Sequence, residues 1–148
     1  MPTSAKNFFS PEQQDDIKQA VLNAELNTSG EIRVHIQKKC KGDILDCAAD
    51  IFKQLGMDKT AARNGVLIYV ALENRSFAII GDSGINAVVA PDFWESTKLL
   101  MINHFRENRF AEGLIAGIEK AGEQLKKHFP HQKDDVNELT DEISFDNN

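Results

Sequence analysis

The sequence predicts an α/β fold, a three-layer α/β/α sandwich around a mixed, mostly parallel sheet that contains one antiparallel hairpin. Three observations predict it. Residues 31–72 alternate strand, helix and strand patterns, as a βαβ crossover does. The run 66–72 is apolar throughout, which suits a strand covered on both faces. The short polar stretch Glu73-Asn74-Arg75 then separates it from a second strand-like run, 76–80, as in a hairpin.

The elements follow in order. Residues 1–9 form an N-terminal arm ahead of a domain over 10–130. Ser10-Pro11-Glu12-Gln13 is a helix start: Ser10 caps, Pro11 suits the first helical position, and Gln13 completes a capping box. Ile17, Ala20, Val21 and Ala24 give that helix one apolar face, and it ends within 27–30. Glu31-Ile32-Arg33-Val34-His35-Ile36-Gln37 alternates strictly, so the strand has one polar-lined face. A helix over 44–55 presents Ile44, Ala48, Ile51, Phe52 and Leu55. The strands on either side of it are parallel, and the strand over 77–80 returns antiparallel.

Pro91-Asp92 marks a further helix start, with Phe93, Thr97, Leu100 and Met101 on one face. Residues 106–109 form a polar break before a last helix over 110–129. Its stripe is Leu114, Ile115, Ile118, Ala121, Gly122 and Leu125, and Pro130 stops it. Gly113, Gly117 and Gly122 lower its propensity and suit close approach to the sheet. Residues 131–148 are acidic and poor in apolar groups, which predicts a solvated, disordered tail, with Val136, Leu139, Ile143 and Phe145 leaving open a weak partner-binding segment.

Composition narrows the function classes. The chain has 148 residues, 41% hydrophobic and 27% charged, with a net charge of -6. That is ordinary for a globular domain, and it lacks the basic footprint of a nucleic-acid binder. No apolar run approaches the ~20 residues that span a bilayer, and the N-terminus has no signal-peptide pattern. A cytoplasmic monomer is expected, with no nucleic-acid or membrane partner. Cys40 and Cys47 fit neither a redox pair nor a zinc knuckle and read as free thiols, with a disulfide across the short segment as the alternative.

The hairpin concentrates polar groups at one rim of the sheet. A turn centred on Asn74 brings Asn64 near Gly84 and Gly65 near Ser83. Parallel pairing adds Glu31, because both strands start at that edge. Glu31, Asn64, Asp82 and Asp92 then make an oxygen-rich rim, the donor type that Ca²⁺ and Mg²⁺ take. Asp82, directly after a strand, is the best ligand candidate, whereas Asp92 at a helix start suits a cap. Arg63, with the turn at Ser83 and Gly84, is a candidate anion-binding group. Gly81-Asp82-Ser83-Gly84 is similar to the tetrapeptide around a chymotrypsin-like nucleophile, but Ile85 follows and nothing sets His35 against a carboxylate, so a serine protease is rejected. Metalloprotease, P-loop and dinucleotide motifs are absent.

Three stretches carry a family resemblance: 29–34 (SGEIRV), 60–70 (TAARNGVLIYV) and 75–85 (RSFAIIGDSGI), with FAEGL at 110–114. They resemble the TPM domain family, which includes thylakoid-lumen phosphatase-like and photosystem repair proteins and many bacterial relatives. The resemblance spans roughly 11–129. It implies the three-layer fold and a divalent-cation site at Glu31, Arg63, Asn64 and Asp82. It also implies phosphatase activity in a plant branch and accessory roles in others. Three readings stay open: a metal-dependent phosphoester hydrolase, a non-catalytic module whose metal is structural and whose rim meets a protein partner, and a structural rim that binds no metal.

Overall fold

The computed structural model describes residues 4–131 and 139–146. Strands β1 (Glu31–Gln37), β2 (Gly65–Ala71), β3 (Ser76–Gly81) and β4 (Ser144–Asp146) form one sheet in the order β3-β2-β1-β4. β1 is parallel to both β2 and β4, and β3 is antiparallel to β2. Helix α1 (Pro11–Glu25) starts on the expected capping box, with the Ser10 side chain and Gln13 bonded reciprocally. Helices α2 (Ile44–Gln54), α3 (Ser83–Asn86), α4 (Glu95–Arg106) and α5 (Phe110–Lys126) follow. No helix among the described residues is long and apolar enough to cross a membrane.

Strand alternation sorts the core into two layers. Ile32, Val34 and Ile36 join Val66, Ile68 and Ile79 in one cluster with α1, α4 and α5. Leu67, Tyr69, Ala71 and Ala78 pack on the other face against Ala48, Ile51 and Phe52 of α2. This is the predicted sandwich. Residues 4–9 are part of it, since Ala5 and Phe9 are buried in the larger cluster.

Four expectations are corrected. The β2–β3 register is shifted by one: Val66 faces Gly81 and Ala71 faces Ser76, because the loop spans four residues. Asp82 therefore stands beside Gly65, to whose carbonyl its N–H donates at 2.9 Å. Gly113, Gly117 and Gly122 approach helices, not the sheet. A Cβ on Gly113 would meet Phe105 at 2.6 Å, and one on Gly122 would meet the Ala24 Cβ at 2.8 Å.

The cysteines are bonded as Cys40–Cys47, their Cα atoms 6.1 Å apart, because the exit of β1 folds back onto the first turn of α2. Asn74 holds the same loop from the hairpin side. Its amide donates to the Cys40 carbonyl at 2.8 Å, and its oxygen accepts from the Cys40 N–H at 3.0 Å.

The C-terminal expectation of disorder fails for residues 139–146. Leu139 is buried with α2, and Ile143 and Phe145 pack on the opposite cluster. These apolar contacts, together with strand pairing to β1 and the Leu139 N–H bond to Glu31, bring this acidic segment down along β1. The rest of the expected tail, 132–138 and 147–148, lies outside the described residues.

Candidate functional site

The site is a row across three strand ends. Glu31 starts β1 and is paired with Gly65, which starts β2, while Asp82 follows β3 directly and bonds to Gly65. Two acids thus flank a residue without a side chain. All of this is buried: Glu31 is 5% exposed, Asn64 3% and Asp82 6%.

Asp82 is gripped by Arg63. The guanidinium donates to both carboxylate oxygens, at 2.8 and 2.9 Å, in the two-pronged geometry natural to this pair. Burial alone would raise the Asp82 carboxyl. The bonds from Arg63 and from the Ser83 N–H outweigh it and hold the group below the usual range. Arg63 reaches this position with φ +51°, a left-handed backbone that disfavours side chains other than glycine. Behind it, Gly84 passes so close that a Cβ would lie 2.6 Å from the Arg63 carbonyl oxygen. Only glycine allows that approach.

The remaining predicted residues are placed as follows. Glu31 accepts a 2.7 Å bond from the Leu139 N–H of the C-terminal segment. The Asn64 amide donates to the Ser29 carbonyl at 3.1 Å. Ser83 N–H donates to Asp82 at 2.7 Å and Gly84 N–H to the Arg63 carbonyl at 2.9 Å, so both amides are committed within the rim. Asp92 is exposed in the turn before α4, where its carbonyl accepts from Glu95 N–H. The helix begins three residues later than expected, with Trp94 at its N-cap.

Sequence reasoning missed three residues here. Asp58 Oδ1, in the 3-10 turn Met57–Lys59, and Thr60 Oγ1, which ends that turn, are buried oxygens with no hydrogen-bond partner. Asp58 acts on Arg63 electrostatically, as Asp82 does. Their signal was position alone: they lie just ahead of the Arg63-Asn64-Gly65 strand start. Across β1, Glu25 is also an unforeseen member. Burial, then a bond to Asp141, pushes its carboxyl up to about 9, against the opposing bond from Ile32 N–H.

His35 is 3% exposed and is held below its ordinary value by burial. Its ring nitrogens meet Ser144 Oγ at 2.6 Å and Gln37 Oε1 at 3.0 Å, and it stacks on Tyr69. It pins β4 to β1. Among the described residues, no three His, Cys, Asp or Glu side chains converge closely enough to hold a metal by themselves.

The model of the TPM domain matches residues 3–124. The chain belongs to the TPM domain family. Solved structures agree. This TPM chain is 49% identical to the BA42 protein of the psychrophilic bacterium Bizionia argentinensis sp. nov., over 93% of this chain and 95% of that one, with a TM-score of 0.89. The N-terminal domain of a P. gingivalis protein matches at 22% identity, with 84% and 82% of the two chains covered and a TM-score of 0.67. The N-terminal domain of the cg2496 protein of Corynebacterium glutamicum matches at 13%, over 89% and 77%, with a TM-score of 0.61. These last two share the fold. No curated protein matches the chain.

Proposed function

We propose that this TPM domain binds a divalent cation, Ca²⁺ or Mg²⁺, at the rim around Asp82. The observation that carries the reading is the orphaned Asp58 Oδ1, a buried carboxylate oxygen without a donor. Such an atom is costly to bury unless something positive or a donor satisfies it. Arg63 feels both Asp58 and Asp82, so positive charge is drawn to this point. Oxygen donors are what a hard cation takes. Asp82 and Asp58 would supply the carboxylates, Thr60 the hydroxyl and Asn64 the amide oxygen, with Glu31 beside them. Too few acids converge to hold the ion without such neutral oxygens or water. Arg63 gives up part of its grip on Asp82 when the cation enters.

A bound cation there supplies charge that ties the entry of β2 to the exit of β3. We favour a non-catalytic role for it. Phosphoester hydrolysis needs donors for the phosphoryl oxygens, and the Ser83 and Gly84 amides already have partners.

The test is an amide NMR titration of metal-free protein with CaCl₂ and with MgCl₂. Saturable shifts at residues 57–65 and 81–84 are expected, together with a raised Tm by linkage. Asp58→Asn weakens binding at least tenfold, and it is preferred to Asp82→Asn because it leaves the Arg63 pair intact. No shifts at millimolar metal, or full binding in Asp58→Asn, overturns the proposal. Hydrolysis of p-nitrophenyl phosphate that needs the metal would instead favour the phosphatase reading.

A further inference from the structure

At the other end of β2 lies a cavity of about 570 Å³ that the rim does not use. Its size falls within the range of small-molecule sites. Five phenylalanines build its body, with Phe9 against Phe8 and four of them in a chain of ring contacts. Phe8 meets Phe110 at 5.5 Å, Phe110 meets Phe105 at 5.7 Å, and Phe105 meets Phe77 at 5.3 Å. They come from the N-terminal arm, from α4 and α5, and from β3. Two arginines, Arg75 and Arg106, also line it, and no acid does. In a chain of net charge -6 that is a local reversal of sign.

Neither guanidinium has a carboxylate within ion-pair distance among the described residues. Arg75 stands where glycine would be the unstrained choice. It closes the β2–β3 hairpin at φ +50°, its N–H bonded to the Leu72 carbonyl. Asn108, also at this cavity, has φ +60°, but asparagine just past a helix end is a common cap. Arg63 has the same backbone as Arg75 and is repaid by Asp82. Arg75 has no such partner among the described residues.

We infer that the cavity is a binding site for a small amphipathic carboxylate, its apolar body among the phenylalanines and its head between Arg75 and Arg106. The planar guanidinium fork suits a carboxylate, and aromatic walls suit an aliphatic or aryl body. This site is separate from the rim, and neither proposal depends on the other.

The experiment is an NMR titration of the full chain with octanoate, 3-phenylpropanoate and 1-octanol. Saturable shifts are expected at residues 8–9, 70–77 and 102–110, with octanoate binding at least tenfold tighter than octanol. An aliphatic against an aryl body is distinguished by which carboxylate binds tighter. The double variant Arg75→Gln/Arg106→Gln, both exposed positions, is expected to keep the fold and lose the preference for the acid. Equal binding of acid and alcohol, a preference that survives the double variant, or no saturable shift at millimolar ligand overturns the inference.

Discussion

Arg63 and Arg75 stand at the two ends of β2 with nearly the same left-handed backbone, φ +51° and +50°. Each costs about 1–2 kcal/mol relative to a relaxed residue, which the surrounding structure must offset. Arg63 holds Asp82, which is 5% exposed at the side chain. Arg63→Ala leaves that carboxylate buried and unmatched. Because Arg63 is half open to solvent, we expect a modest loss of stability, read as a lowered urea midpoint. The pH dependence changes too. The Asp82 carboxyl is lowered in the fold, so its contribution is present above the unfolded value near 3.8 and fades as pH falls below it. That acid-side loss should shrink in Arg63→Ala. Glu25 works in the opposite sense. Its carboxyl rises from 4.5 to about 9, so the folded chain holds a proton that the unfolded chain has released. Stability therefore falls as pH climbs between those values, by up to about 1 kcal/mol per unit after screening. Glu25→Gln should flatten that slope, and unfolding midpoints at pH 6, 7 and 8 would show it.

At the scale of elements, caps and glycines decide how pieces meet. Ser10 and Gln13 start α1 by a purely local device, which is why that start was legible from four residues. The start of α4 was not. Pro91-Asp92 resembled a cap, yet α4 begins at Glu95 with no side-chain cap. Its position is set instead by packing on α5: Thr97 bonds Gln124, whose amide donates to the Phe93 carbonyl at 2.8 Å. The loop between β1 and α2 is held twice, by Asn74 and by the Cys40–Cys47 bond. Closing so short a loop is worth about 2 kcal/mol. Cys47→Ser, or reduction with dithiothreitol, should lower the urea midpoint by that amount and leave the rim signals in place. An unchanged midpoint would show that Asn74 alone holds the loop.

Across the whole molecule, the C-terminal segment is the device that closes the sheet. β4 covers the edge of β1, Leu139 fills the space above Gly65, and Glu31 accepts from the Leu139 N–H. A chain cut after His131 should lose several degrees of Tm and expose β1 as an open edge that invites self-association. It should also weaken the Glu25 pH slope, since Asp141, the second cause of the raised carboxyl after burial, leaves with the segment. Calorimetry and light scattering at pH 6 and 8 read both. The sequence by itself determined α1, α2, α5 and β1 to β3, the parallel β1–β2 and antiparallel β2–β3 pairings and the edge where polar groups gather. Periods of two and 3.6 and a turn between apolar runs are local properties, carried by neighbouring residues. Tertiary structure alone decided the remainder. It set the one-residue register that puts Asp82 beside Gly65 and the left-handed Arg63 that occupies both Asp82 oxygens. It also set the burial of Asp58 Oδ1 and the docking of 139–146. Each depends on groups far apart in the chain, and a charged oxygen reveals its partner, or its lack of one, only when water has been removed from around it.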